Sequence, residues 1–286
     1  MERESIVRTA VKSDRSAIQD FIDRAAALHR HLDWRSPFDW LGNRNFLISL
    51  ENNRISGLLI CTAEPDEVFW IRIFGTASFS QIESQWEILF GQLFQQLPEQ
   101  PSPVTLASIA YFDWMKNLLD ENGWRVQQEV VQLRWVHNYF NKLEKKWPEE
   151  LSIRPMTYND IKTVTEIDQD CFLYIWKQSQ DVIRRAFEQS SYTTVAVIEN
   201  EVVGFQISTS HKSIAHLARL AVLPKFQGQH IGQALVQNML RHYSRPWIQE
   251  ITVNTQHDNQ VSLSLYAKMG FEPTGERFPI FTYQKS

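Results

Sequence analysis

Along residues 151–286 the apolar positions fall into short runs with a period of two, interrupted by longer runs with helical spacing. LSIRPM reads as a strand. The stretch from Asn159 through Asp170 reads as a helix, and SQDVIRRAFEQS as a second helical stretch. Two β-rich runs follow, TTVAVIEN and EVVGFQISTS, parted by the polar residues Glu199, Asn200 and Glu201, which suit a hairpin turn. AHLARLAVL is a further strand. After Pro224 and FQGQHIG comes a helix from Ile231 to Tyr243, then strand EITVNTQ, helix VSLSLYAKM with a stop at Gly270, and a last strand, FPIFTYQ. This order predicts an α/β fold with a mixed sheet.

The same pattern occurs earlier in the chain. Arg8 in IVRTAVKSD aligns with Arg154 in IRPMTYND at an offset of 146, and Gly57 in ISGLLICT with Gly204 in VVGFQIST at 147. Arg72 in WIRIFG falls on Arg219 in LARLAV, and Gly123 and Trp124 fall on Gly270 and Phe271, again at 147. Four anchors in one order imply a duplication. VVQLRWVHNYF reads as the closing strand of the first copy, and NKLEKKWPEELSI carries charge and a proline before the second opens. The expected domains are residues 1–140 and 151–286, joined by a solvated connector at 141–150.

Composition narrows the function. The 286 residues carry a formal charge of -4, which argues against a generic nucleic-acid binder. No stretch approaches the roughly 18 apolar residues of a membrane span, and the charged amino terminus is unlike a signal peptide. Cys61 and Cys171 form no C-x-x-C pair, so a reduced, cytoplasmic setting is expected. No histidine spacing signals a metal site. His29 and His31 beside Asp33 come nearest and read instead as surface or helix-end residues. Only 10 glycines occur, so each needs a reason, and eight of the ten tryptophans precede residue 150. Their expected role is to fill the first copy's core, with Trp34 and Trp40 in RHLDWRSPFDWLG as possible walls of a vacated cleft.

The chemistry is expected where the strand LARLAVL gives way to a glycine-bearing loop and a helix. Gly228 and Gly232 allow close backbone approach, and the N–H groups at the helix start can face phosphate oxygens. The loop lacks the G-K-[ST] of a Walker A motif and the third glycine of a dinucleotide fingerprint. It resembles the [QR]-x-x-G-x-[GA] motif of the GCN5-related N-acetyltransferase (GNAT) family, standing as Gln227, Gly228, Gln229, His230, Ile231 and Gly232. A second family feature, N-x-x-[AS]-x-x-L-Y before K-x-G-F, is met by Asn259, Ser262, Leu265, Tyr266, Lys268, Gly270 and Phe271. The resemblance covers residues 151–286, and the first half only through the repeat. It implies two tandem domains, each a mixed, mostly antiparallel sheet flanked by helices.

The resemblance implies that acetyl-CoA is the cosubstrate, with no metal. The backbone of Leu220 and Val222 would hold the pantetheine arm, and the loop from Gln227 to Gln233 the pyrophosphate. Tyr266 would protonate the departing thiolate, its rival role being core packing. Asn259 would bond the cofactor arm or cap a helix. His230 departs from the usual glycine, and its side chain would either crowd the pyrophosphate or turn outward. For the base, His216 leads, ahead of Glu166 and Asp168. Projection by 147 puts Ser80, Gln81, Glu83 and Gln85 at the loop positions of the first copy, and Phe112 and Leu119 at those of Asn259 and Tyr266. That copy is expected to be a non-catalytic scaffold. The acceptor would be a primary amine, on a small molecule or a protein amino terminus, and the tandem arrangement favours a monomer. The alternative is a non-catalytic acyl-CoA sensor or interaction protein.

Overall fold

The computed structural model describes residues 5–64, 68–97, 104–136 and 147–285. Two compact units emerge: Met1–Gln128 with Phe278–Ser286, and Glu129–Arg277. The first copy supplies β1 (Ile6–Thr9), α1 (Arg15–Arg24), β2 (Ala27–Arg30), β3 (Phe46–Glu51), β4 (Arg54–Ala63), β5 (Val68–Thr76), α2 (Ile82–Gln96), β6 (Val104–Ile109), α3 (Asp113–Glu121) and β7 (Arg125–Val136). The second supplies β8 (Ser152–Pro155), α4 (Ile161–Cys171), α5 (Gln180–Gln189), β9 (Tyr192–Ile198), β10 (Glu201–His211), β11 (Ile214–Val222), α6 (Ile231–Tyr243), β12 (Glu250–Gln256), α7 (Gln260–Lys268) and β13 (Glu272–Lys285).

The first unit runs β1-β3-β4-β5-β6, and the second β8-β9-β10-β11-β12. Pairing is antiparallel except for β5 with β6 and β11 with β12. Each unit therefore has the mixed α/β sheet that the sequence predicts. Among the described residues no helix is long and apolar enough to cross a membrane.

The duplication extends to individual bonds. Arg8 grips Asp14 with two guanidinium bonds of 2.7 and 2.8 Å, and Arg154 grips Asp160 with two of 2.7 Å. Each carboxylate also accepts a backbone N–H at 2.8 Å, from Val11 and Thr157 respectively. The β3–β4 turn has positive φ at Asn52 and Asn53, and the β9–β10 turn has it at Glu199 and Asn200, as a tight two-residue hairpin requires. The connector between β5 and α2 is five residues, against eight between β11 and α6. The constant offset of 147 therefore fails across this loop, and the first copy lacks three of its residues.

Two expectations change. The units are not the linear halves 1–140 and 151–286, because each copy's last strand is exchanged. Residues Val130–Val136 of β7 pair antiparallel with β12, and Ile280–Lys285 of β13 with β6. A repeat offset reveals equivalent strands but not which sheet a strand joins, since equivalent strands present the same edge. Residues 141–146 of the expected connector lie outside the described residues. Arg72 and Arg219 are likewise not equivalent. On β5 the register with β4 skips Arg72, which sits in a bulge, whereas on β11 it skips Ala218, one position before Arg219.

Burial follows the exchange. Trp86, Trp124, Phe74 and Leu106 pack in the first unit with Phe281 from the end of the chain. Trp86 stacks on Phe90 at 4.8 Å. Trp135 instead joins Tyr266, Phe271 and Met239 in the second unit's core. His29 and His31 are not surface or helix-end residues. His29 is fully buried on β2, and His31 packs against Trp70 at 4.8 Å. Burial alone lowers the His29 pKa to about 4, so it is neutral near pH 7.

Asp160 anchors the entry to α4. The Arg154 bonds hold its pKa at about 2, below an ordinary 3.8. A depressed carboxylate stabilises the fold above its unfolded pKa and loses that contribution as pH falls through the folded value. Asp160→Asn is therefore expected to lower stability at pH 7 and to flatten the stability profile between about pH 4 and pH 2. Denaturant melts across that range check this.

Candidate active site

The second unit is opened by a strand pair that parts. β11 and β12 run parallel only from Ile214–Leu217 to Glu250–Val253. Beyond that, β11 continues to Val222 and β12 to Gln256, where β12 stays paired only with β7. Among the described residues no strand covers the β11 edge facing β12 over Ala218–Val222. The Leu223 N–H donates to Val203 O at 2.9 Å, and bonding alternates along an antiparallel pair. Leu220 and Val222 therefore turn their N–H and C=O groups away from β10, into the opening. The Val222 carbonyl accepts from Gln227 Nε2 at 2.9 Å and from the Cys171 thiol at 3.2 Å, which agrees with that direction.

The strand leads into the glycine loop. After a short turn at Pro224–Phe226, Gly228 takes φ +78° and His230 φ +61° before α6 begins at Ile231. The Ala234 N–H reaches His230 O at 3.0 Å, so the N–H groups of Ile231, Gly232 and Gln233 precede the first helical bond. Among the described residues, the His230 side chain at the N-cap makes no capping bond to them. The positive end of the helix dipole there favours an anion over a cation. Space at Gly232 is short, since a Cβ there would lie 3.3 Å from Leu265 Cδ2 and the leucine tip would have to give way. Ile231, Ala234 and Leu235 are buried in one cluster with Ala196 of β9 and Val203 of β10, which seats the helix on the sheet, while Gln227 and Gln229 are exposed. His230 is exposed too, with Nδ1 3.2 Å from Gln233 Oε1. Glycine's absence here thus bears on the left-handed backbone rather than on side-chain crowding.

The remaining sequence candidates separate. Tyr266 is buried in the core beside Phe271, 5.6 Å between rings, and burial pushes its phenol well above the ordinary value. It is a protonated donor at neutral pH. Asn259 caps α7, its Oδ1 accepting the Ser262 N–H at 3.0 Å. His216 lies opposite Thr252, Nδ1 to Oγ1 2.8 Å, and burial lowers its pKa to about 4. Asp168 is fully buried and holds Arg219 at 2.6 Å and the Gln178 N–H at 2.9 Å, so its geometry is structural. Glu166 is exposed beside Lys162 at 3.9 Å.

Leu217 and Leu220 meet the same core although three apart, because the bulge at Ala218 inserts a residue. The same bulge brings His216 and Arg219 onto the opposite face, which the sequence shows only as imperfect alternation. Sequence reasoning missed Asn254. It follows the last residue of β12 paired to β11, and its Oδ1 is buried with no partner. The signal was present as Thr252 and Asn254 alternating with Ile251 and Val253 in ITVNTQ. Cys171 was also missed, because a lone thiol has no pattern. Among the described residues no group of three or more His, Cys, Asp or Glu is placed to hold a metal ion.

Residues 161–271 match the family model described as "Acetyltransferase (GNAT) family". The chain is 23% identical over 133 residues to a putative [ribosomal protein bS18]-alanine N-acetyltransferase of Bacillus subtilis (strain 168), covering 46% of this chain and 87% of that one. A GCN5-related N-acetyltransferase from Sphaerobacter thermophilus shares the fold with a TM-score of 0.64 at 16% identity, over 99% of this chain and 96% of that one. A tandem GNAT protein from the clavulanic acid biosynthesis pathway does so at 0.66 and 15%, over 98% of each.

The left-handed cap carries a test. His230→Gly is expected to leave stability within about 1 kcal/mol, relief of the positive φ offsetting glycine's greater unfolded freedom, and to bind acetyl-CoA within about threefold of the parent. Thermal melts and calorimetric titration measure both.

Proposed function

We propose that this protein is an N-acetyltransferase moving the acetyl group of acetyl-CoA directly to a primary amine, since residues 161–271 match the GNAT acetyltransferase family model and the chain shares the fold of a tandem GNAT protein. The observation that carries this reading is the uncovered edge at Leu220 and Val222, running into three uncapped N–H groups at the start of α6. A strand edge satisfies an extended amide chain by main-chain bonds, and a helix start satisfies a phosphate. A pantetheine arm ending in a pyrophosphate needs these in that order. Residues Gln227–Gln233 would form the phosphate loop, with Asn259 fixing α7 beside it.

The chemistry follows from the groups that remain. The neutral amine attacks the thioester carbonyl, a C–N bond forms, the C–S bond breaks, and the amine's proton leaves. The thiolate takes a proton from Tyr266, which burial keeps protonated at neutral pH, and the phenolate regains a proton from solvent, to which His216 returns the one it accepted. His216, neutral near pH 7, accepts the amine's proton, directly or through a water, and Asn254 Oδ1 offers the incoming N–H an acceptor. Similarity to the Bacillus subtilis protein favours a protein amino terminus over a small amine as acceptor. The free thiols of Cys61 and Cys171 fit a cytoplasmic protein, and the tandem pair a monomer.

Thiol release in the presence of acetyl-CoA and an amine panel, including peptides with free and blocked amino termini, tests the reading. Release only with free amines is expected. Binding without release above hydrolysis would instead indicate a sensor, and no binding at millimolar cofactor overturns the assignment. Tyr266→Phe should lower kcat by about 10²–10⁴ with little change in cofactor affinity. If His216 takes the proton, the acid limb of kcat/KM bends near pH 4, and His216→Asn abolishes it. A limb near pH 6.5 that survives the substitution assigns the base elsewhere.

A further inference from the structure

The strand edge that is uncovered in the second unit is covered in the first. Registers identify the equivalent residues. Gly57 opposes Thr76 on β5, and Gly204 opposes Val222 on β11. The Ala77 N–H donates to Ser56 O at 2.9 Å, as the Leu223 N–H does to Val203 O. Thr76 therefore corresponds to Val222 and Phe74 to Leu220. β5 also leaves its parallel partner early, pairing with β6 only over Val68–Trp70. β4 covers one edge of β5 from Phe69 to Thr76, so β2, which pairs with Ile73–Thr76, lies on the other edge, where β6 has parted.

The bonds of β2 fall on the equivalent groups. The Ala26 N–H donates to Thr76 O at 3.0 Å, and the His31 N–H to Arg72 O at 2.8 Å, with His29 facing Phe74 between them. On the far side, His29 Nε2 lies 3.5 Å from Ser108 Oγ on β6, so β2 reaches across the opening. Its fit is close. A Cβ on Gly75 would lie 2.8 Å from Leu28 Cδ1 and 3.1 Å from Ala27 O. The equivalent position on β11, where no strand is paired, is Ala221. Ion pairs hold the segment that follows: Asp33 with buried Arg72 at 2.7 Å, and Arg35 with Glu64 at 3.0 Å. The vacated cleft expected beside Trp34 and Trp40 is thus filled by the chain itself, and α5, which follows α4 in the second copy, has no counterpart after α1.

We infer that β2 is an intramolecular substitute for the pantetheine arm: the first unit is self-occupied, and each chain takes a single acetyl-CoA, in the second unit. The single-cofactor part rests on the function proposed above. The occupancy by β2 does not.

Hydrogen exchange on the full chain, with and without acetyl-CoA, separates the two. The amides of His31, Phe74 and Thr76 are expected to exchange slowly in the free protein and to be unchanged by saturating cofactor. Those of Leu220, Val222 and Ile231–Gln233 should slow only when it is added, with one cofactor bound per chain by calorimetry. Fast exchange at His31 and Phe74 in the free protein, cofactor-dependent change there, or a stoichiometry of two overturns the inference. Unchanged protection at Leu220 and Val222 with slow exchange at His31 and Phe74 defeats only the proposed function. Gly75→Ala should speed exchange across 26–31 by about tenfold or more while leaving α6 unaffected. Should it fail to fold, Asp33→Asn supplies the same readout, and protection equal to the parent's in a folded Gly75→Ala protein counts against the close fit.

Discussion

A parallel strand pair that separates partway leaves backbone N–H and C=O groups without partners, and such groups must be satisfied. Everything specific to this protein follows from how that requirement is met at β5 and at β11. In the second unit no described strand covers the edge at Leu220 and Val222, and the Val222 carbonyl accepts from Gln227 and Cys171. In the first, a strand supplies the partners. One fold thus has an open strand edge in one unit and a covered one in the other, and the strand that makes the difference lies in the segment between the first helix and the hairpin.

The surrounding residues reinforce each outcome. On β11, the loop that follows is three residues longer, carries Gly228 and ends at an uncapped helix start. On β5, the loop is short, a glycine sits within the strand where Leu28 crosses it, and the bulge places Arg72 where it can hold Asp33. Arg219, one position beyond the corresponding bulge, turns to Asp168 on α4 instead and packs over Phe172 at 3.6 Å. Each arginine neutralises a carboxylate with which it is buried, the arrangement under which a desolvated charge is tolerated.

Much of the fold was legible in the chain. The helix and strand periods, the hairpin turn at Glu199–Glu201 and the repeated arginine at the start of each copy are local, so they leave a pattern in neighbouring residues, whereas the carboxylates those arginines grip emerged only from the structure. The glycine loop was legible for the same reason: Gln227, Gly228 and Gly232 lie within six residues. His230 was legible as a departure, but its meaning was not, because a sequence does not show that its φ is positive.

The sequence by itself determined the duplication, the α/β class, the glycine loop and the candidate residues Tyr266 and His216, because each rests on identity and spacing along one chain. Tertiary structure decided which strand lies beside which. It moved residues 130–136 and 280–285 into the opposite units, shifted Arg72 and Arg219 out of equivalence by one bulge, exposed Asn254 Oδ1 as an unused acceptor and laid β2 along β5. These are long-range choices made by backbone groups that every residue carries, so no side-chain pattern announces them.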